Sequence, residues 1–167
     1  VGVFPAFIAD SPLADALPYL ADVARLEAAC LRVFHAADAP SPPLDAWQRL
    51  QAHPQRLAAT RLRLHPACAW LACSHAAVDL WQAHMRAESP ESADLAGIDP
   101  DHAQDALLWR DDDGLVQVAA LPPGCAAALE ALQAGAALLP VLSVLPGDAA
   151  ATLLAHLAGD GVVTDIL

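Results

Sequence analysis

The side chains that could carry out chemistry in this chain are four cysteines, seven histidines and twenty acidic residues. Cys68, Cys73 and His75 lie close together in the sequence, and His35 and Asp38 are three residues apart near the end of a predicted helix. Neither set has the spacing or the number of ligands that a zinc site needs. We therefore expect this chain to bind no metal and no cofactor of its own.

The sequence supports nucleophilic catalysis no better than it supports a metal site. Ser74-His75 and Ser143 lie in no nucleophile-elbow pattern, and no glycine-rich phosphate loop is present. The run Asp111–Asp113 is only superficially like a cation-binding loop and is better explained as a solvated turn. We therefore predict that the chain is not an enzyme.

The four cysteines include no C-x-x-C pair, and their neighbours are small and apolar. These neighbours favour buried free thiols, although the even number of cysteines would also permit two disulfides. The residues concerned are Cys30, Cys68, Cys73 and Cys125.

The charge of the chain limits its partners. Its formal charge is −12, with eight arginines and no lysine, and the closest basic pair is Arg61 and Arg63. A broad nucleic-acid surface needs clustered cations, so nucleic acid is an unexpected partner. No apolar run of about 18 residues is free of proline or charge, which excludes a predicted membrane helix, and no secretory signal is visible. We expect a cytoplasmic protein. Because the first residue is Val, we also expect a trimmed chain that lacks an N-terminal domain.

A β-hairpin is the clearest architectural signal. Residues 104–109 and 115–121 read as strands on either side of the polar turn 110–114, in which Gly114 supplies the permissive backbone. The second strand alternates with a period of two, and a helix opens at Pro122-Pro123. An unpaired edge of such a hairpin is a place where a peptide from another molecule can add as a further strand.

The hairpin is preceded by a predicted amphipathic helix over residues 19–38, short strands near residues 60–64 and 68–73, and a helix over residues 76–87. After it come three short helices and a final strand. We therefore predict an α+β fold in three parts. These are a helical and mixed docking region (1–90), a linker (91–103) and a winged-helix-like module made of the hairpin, three helices and the last strand (104–167).

Four blocks of the sequence resemble the HvfC/BufC family. They occur in the family's order and read FPAFIADSPLADALPYLADVARLEAACLRVFHAADAP (4–40), LRLHPACAWL (62–71), VDLWQAH (78–84) and ALLWRDDDGLVQVAAL (106–121). The first block is the most specific, and the resemblance spans nearly the whole chain. Two departures stand out. We expect the family's usual N-terminal helical domain, to which DNA binding has been ascribed, to be missing from this chain, and Ser74-His75-Ala76-Ala77 stands where the family has an aromatic residue before the V-x-D-x-W helix.

The resemblance implies a role. Such proteins are encoded beside multinuclear iron-dependent oxidases that modify cysteines in ribosomally made peptides, and the family member from methanobactin synthesis forms a heterodimer with its oxidase. Its C-terminal part is similar to a peptide-recognition element, a winged-helix-like fold whose hairpin accepts a leader peptide as an added strand. For this chain the resemblance implies an accessory protein of peptide maturation, with the metal chemistry belonging to the partner oxidase.

Two sets of candidate site residues follow from these observations. The hairpin edge would supply main-chain hydrogen bonds to a peptide, and the next helix would line a groove for its apolar side chains. This peptide-binding set is Leu115, Val116, Gln117, Val118, Ala119, Ala120, Leu121, Ala126, Leu129 and Leu132. The partner-docking set is Arg25, Glu27 and Arg32 on the first long helix. Glu27 borders the apolar stripe, so it either pairs with an arginine of this chain or helps to hold the oxidase.

Two functions from different classes remain open. The first is a non-enzymatic accessory subunit that binds the leader peptide and presents the precursor to the oxidase, which raises the effective concentration of the modifiable cysteine. The alternative is a transcriptional regulator that binds DNA through the winged-helix-like module. The charge disfavours this alternative, because Arg110 is the only basic residue after position 103.

Overall fold

The computed structural model describes residues 3–167, with all their side chains except those of residues 44, 51 and 54. Within this range the chain forms nine α-helices and five short strands, and the strands make two small antiparallel sheets. The α+β class predicted from the sequence is confirmed. In the described part of the chain, no helix combines the length and the apolar character that crossing a membrane requires.

The first part of the chain is mostly helical. Its elements are α1 (Val3–Ala9), α2 (Pro12–Ala16), α3 (Leu20–Phe34), α4 (Leu44–Gln51), α5 (Pro54–Leu57), β1 (Leu62–Leu64), β2 (Cys68–Cys73) and α6 (Ala77–Arg86). Helix α3 buries Leu26, Ala29 and Val33, which recur at helical spacing on one face. It ends at Phe34 rather than at residue 38, and the Arg110 guanidinium donates to the carbonyls of Val33 and Phe34, which lack partners within the helix.

The second part begins with a 3₁₀ turn (Pro90–Ser92) and contains the predicted hairpin. Its elements are β3 (Gln104–Arg110), β4 (Val116–Leu121), α7 (Cys125–Gln133), α8 (Leu138–Ser143), α9 (Ala149–Gly159) and β5 (Val163–Ile166). The carboxylate of Asp111 closes the hairpin turn by accepting from the amides of Asp113 at 3.0 Å and Leu115 at 2.8 Å. Gly114 has a φ of +81°, a backbone conformation that an L-residue with a side chain rarely adopts.

The strand pairing crosses the predicted linker. The larger sheet has the order β2-β3-β4, and the smaller sheet pairs β1 with β5. Each sheet therefore joins a strand from before residue 91 to one from after residue 103. The division into regions 1–90, 91–103 and 104–167 stays a prediction about chain segments, and so does the comparison of the last segment with a winged helix.

The larger sheet lies between two helical layers. Ala106 and Leu108 of β3 point to one face, where they pack in a core with α3 and α6. Leu107 points to the other face and packs in a second core with α7 and α9. This alternation along one strand is the period of two that a sheet buried on both faces requires. As a result β3 is covered on every side, while β4 is a terminal strand of the sheet.

Candidate peptide-binding edge

The register of the hairpin decides which backbone groups of β4 are available to another molecule. In an antiparallel pair, alternate residues direct both their N–H and their C=O groups to the neighbouring strand, and the others direct theirs away. The amide of Asp111 donates to the carbonyl of Leu115 at 2.9 Å, so Leu115 and every second residue after it bond to β3. The residues of β4 that face away from β3 are Val116, Val118 and Ala120.

These three residues form the outer edge of β4, with three N–H and three C=O groups. Among the described residues one of the six groups has a hydrogen-bond partner, since the Val118 carbonyl accepts from Nε2 of Gln82 on α6 at 2.9 Å. Arg86, one turn further along α6, donates to Oε1 of Gln82 at 2.9 Å and holds that amide in place. The outer edge of β4 is thus open apart from one neutral side-chain contact.

The side chains of β4 divide between the core and solvent. Leu121 is buried, and Val116 and Val118 pack in part against the core under α3. Gln117 donates to the Asp111 carboxylate at 2.6 Å and so belongs to the turn. Among the other residues predicted to bind a peptide, Ala119 is half-buried and Ala120 and Leu115 are exposed, Leu115 to 61%.

The groove predicted on the following helix is not open. Leu129 and Leu132 of α7 are fully buried in the core that α7 forms with α9, and Ala126 is nearly so. The amide of Ala126 also donates to the buried carboxylate of Asp105 at 2.7 Å, which fixes the first turn of α7 against β3. The prediction that these three side chains line a peptide groove is therefore wrong for the folded chain.

A cavity lies instead beside α6. It has a volume of about 420 Å³ and is lined by α6 and the polar segment that follows it, including Gln82, Arg86, Ser92 and Ile98. Gln82 therefore belongs both to this cavity and to the contact on the β4 edge. Sequence reasoning missed both Gln82 and Arg86, because two polar residues four apart on a helix give no sign of which strand they reach.

The predicted docking residues have different surroundings. Arg25 donates to the Asp22 carboxylate at 2.9 Å and to the Ala72 carbonyl at 3.1 Å, so it tethers α3 to β2. Glu27 and Arg32 are exposed, and among the described residues Glu27 forms no ion pair with an arginine. The expectation of an intrachain partner for Glu27 is therefore not met in this part of the chain.

Glu27 and two large apolar residues share an exposed face of α3. Leu31 and Phe34 lie at the helical spacing that places them beside Glu27, and their exposed fractions are 56% and 55%. Whether this face or Arg25 and Arg32 contact a partner stays a prediction.

The four cysteine thiols are free, and burial makes them poorly reactive. Burial raises the pKa of Cys68 and of Cys73 to about 12, with a further rise at Cys73 from the nearby Asp22 carboxylate. Burial likewise raises the pKa of Cys30 and of Cys125 to about 11. At neutral pH the thiolate, which is the reactive and metal-binding form, is therefore scarce at each of them. The expectation of free thiols is confirmed, since none of the four forms a disulfide.

The metal-ligating residue types do not converge. Among residues 3–167, no three or more histidine, cysteine, aspartate or glutamate side chains lie in an arrangement that could hold a metal ion. Asp38 instead lies 3.4 Å from the Arg110 guanidinium, and His75 contacts the buried carboxylate of Asp22 at 2.9 Å.

Searches against protein-family models and against curated proteins found no match to this chain. The relationship to the HvfC/BufC family accordingly remains a resemblance, carried by the four sequence blocks named above.

Proposed function

We propose that this chain is a non-enzymatic accessory subunit that binds an extended leader peptide along the outer edge of β4. It would present the precursor to a partner iron-dependent oxidase, encoded with it and located with it in the cytoplasm, that modifies cysteine residues. The observation that carries the proposal is the open edge itself, with outward N–H groups on Val116, Val118 and Ala120. The sequence resemblance supplies the class of peptide and partner.

Strand addition suits this edge physically. A guest strand gains main-chain hydrogen bonds from the outward N–H and C=O groups, and its alternate side chains point to the two faces of the sheet. Among the described residues, the Gln82 amide is the one group that occupies the outward side of this edge, at the Val118 carbonyl. A carbonyl oxygen has two lone pairs, and a neutral side-chain hydrogen bond contributes only about 1 kcal/mol net, so the guest can share or displace this contact.

The unreactive thiols fit the same role. An oxidase that acts on cysteine thiols would meet its carrier protein at close range, and a carrier with reactive cysteines would compete with the substrate. Here burial keeps the four thiols protonated, with pKa values of about 11 to about 12. The precursor's cysteine would then be the accessible target, and presentation would raise its effective concentration at the metal site.

The proposal is tested by co-expressing the chain with the neighbouring oxidase and the precursor peptide, followed by titration of the leader segment. We expect the three to co-purify and the leader to bind the isolated chain. Val118→Pro should weaken leader binding, because the Val118 N–H faces outward and proline removes that donor. Unchanged leader affinity in this variant would contradict strand addition. A salt-dependent mobility shift of DNA, with no leader binding, would favour the regulator instead.

A further inference from the structure

The outer edge of β4 lacks the features that usually keep two copies of a protein from pairing through their sheets. Natural edge strands are protected by charged side chains, by proline or by a bulge. Residues 115–121 contain no charged residue and no proline. The pairs between β3 and β4 also follow one another without a bulge. Among the described residues, Gln82 is therefore the one group that covers this edge.

The outward residues of β4 are arranged so that two copies of the strand can satisfy each other. Val116, Val118 and Ala120 direct both their N–H and their C=O groups away from β3. When two copies of β4 lie antiparallel with Val118 opposite Val118, Val116 of each copy lies opposite Ala120 of the other. Each of these pairs is then a hydrogen-bonded pair that exchanges two main-chain bonds. The edge is thus complementary to itself about a two-fold axis at Val118.

The same register keeps the acidic hairpin turns apart. The chain has a formal charge of −12, so two copies can approach closely only where their carboxylates do not face one another. In this register Asp112 lies opposite Gly124 of the second copy, and Asp113 lies opposite Pro123. Neither carboxylate faces a like charge across the two strands, which would oppose the pairing. The two turns lie at opposite ends of the joined strands.

Two exposed apolar side chains lie beside this edge. Leu115 is 61% exposed, and in the two-fold register it lies opposite Leu121 of the second copy. Met85 is 66% exposed and lies three residues after Gln82, which places the two side chains next to each other on α6. A two-fold axis perpendicular to the sheet puts α6 of both copies on the same face. A second copy therefore offers Met85 a helix surface that an isolated peptide strand lacks.

We propose that two copies of this chain pair through β4 about a two-fold axis at Val118, which joins their larger sheets into one. The pairing itself depends only on the geometry and the composition of the edge. One consequence rests on the proposed function, namely that the second copy and the leader peptide compete for the same N–H groups. The joined strands are short, so the dimer is weak, with a Kd on the order of 1 mM. A leader peptide that binds more tightly replaces it.

The test records ¹H–¹⁵N NMR spectra of the intact chain between about 0.05 mM and about 2 mM, a range that spans the expected Kd. The outward amides of Val116, Val118 and Ala120 should shift most as the concentration rises, and translational diffusion should slow. Spectra that do not change with concentration would overturn the inference. Changes centred on another surface, such as the exposed Phe7 of α1, would also overturn it, because they would place the contact between copies elsewhere.

A matched pair of variants tests the placement of the axis. Met85→Glu brings two like charges together across the axis and should weaken self-association about tenfold. Leu13→Glu adds the same charge at a side chain of α2 that is 57% exposed, and should leave self-association unchanged. The amide spectra report whether each variant is folded. Equal self-association in the two variants would contradict the proposed pairing.

Adding the leader peptide at the highest concentration of the chain separates the dimer from the proposed function. We expect the leader to abolish the concentration-dependent shifts and to restore the diffusion of a single copy. If the shifts persist in a saturating excess of leader, the pairing of copies stands, while leader binding at this edge is contradicted. If the leader binds β4 but no self-association occurs at any concentration, the proposed function stands and the pairing is contradicted.

Discussion

The outward backbone groups on the two edges of the larger sheet have different partners. On β2, the amide of Cys68 donates to the His65 carbonyl at 3.1 Å, and the Ala72 carbonyl accepts from Arg25 at 3.1 Å. Just beyond the strand, the Ser74 amide donates to the buried Asp22 carboxylate at 2.9 Å. The edge of β2 therefore has hydrogen-bond partners at both ends. At one end these partners are Arg25 and the buried Asp22 carboxylate, which form a charged network.

The edge of β4 has a single hydrogen-bond partner among the described residues, and that partner is a neutral side chain. The Gln82 amide on the Val118 carbonyl is the one contact among the described residues that occupies it. Buried charges that lose a partner cost several kcal/mol, whereas a neutral side-chain hydrogen bond contributes about 1 kcal/mol. The comparison teaches that the β2 edge is held at its ends by contacts that include a charged network, while the β4 edge can exchange its one neutral partner at little cost.

Removing the Asp22 carboxylate should have the largest effect on the free energy of unfolding. Asp22→Ala leaves Arg25, the Ser74 amide and His75 without their shared acceptor. We expect the free energy of unfolding to fall by about 3 kcal/mol, because three donors lose one acceptor and each such hydrogen bond contributes about 1 kcal/mol or more, measured by urea denaturation. Asp15→Ala, an exposed carboxylate on α2, is the control and should change stability by less than about 0.5 kcal/mol. A loss below about 1 kcal/mol in Asp22→Ala would show that the β2 edge is not held by this network.

The second-largest effect on the free energy of unfolding is expected at alkaline pH. The thiols of Cys68 and Cys73 at the two ends of β2 have a pKa of about 12 in the folded chain, against an ordinary value of 9.0. The unfolded chain therefore loses these protons first. The stability contributed by the two protonated thiols is complete below pH 9 and is lost as the pH rises towards 12.

The loss can reach about 1.4 kcal/mol for each thiol per pH unit. The chain has no lysine and a single tyrosine, so the main other groups that titrate in this range are the thiols of Cys30 and Cys125, each with a pKa of about 11. Urea unfolding at pH 8 and pH 10 should show the loss, and Cys68→Ala should reduce it without removing it. An identical pH dependence in the variant would contradict the assignment to this thiol.

Removing the hydrogen bond between Gln82 and the Val118 carbonyl should have the smallest effect on stability. Gln82→Leu frees the Val118 carbonyl and should change the free energy of unfolding by less than about 1 kcal/mol. Because an uncovered edge can pair with another copy, we expect weak, concentration-dependent self-association in sedimentation velocity. Gln133→Leu on the exposed end of α7 is the matched control and should sediment like the unaltered chain. Self-association of both variants to the same extent would show that the added leucine, not the edge, is responsible.

The local part of this arrangement could be predicted from the sequence. The hairpin was found because its signals are local, namely a period of two, an aspartate that closes the turn and Gly114 where φ is positive. The free thiols were also predictable, since small apolar neighbours favour burial. Both predictions depend on residues within a few positions of one another.

The partners of the hairpin could not be predicted in the same way. The third strand of the sheet pairs Cys68 with Trp109, and the Gln82 contact on Val118 spans 36 residues. Leucines such as Leu129 have the same helical spacing whether they line a groove or fill a core. In this chain α9 packs against α7, so Leu129 lies in the core. Long-range pairing decides such questions, and a single sequence carries no signal for it.

The most direct test of the open edge compares two prolines. Ala120 on β4 and Ala72 on β2 are both exposed alanines whose N–H groups face outward from the same sheet. In a calorimetric titration with the leader of the precursor encoded beside the oxidase, Ala120→Pro should lose about tenfold in affinity, which is the net contribution of one hydrogen bond. Ala72→Pro should bind like the unaltered chain. Equal affinities in the two variants, or a loss confined to Ala72→Pro, would contradict the claim that β4 is the edge that receives the peptide.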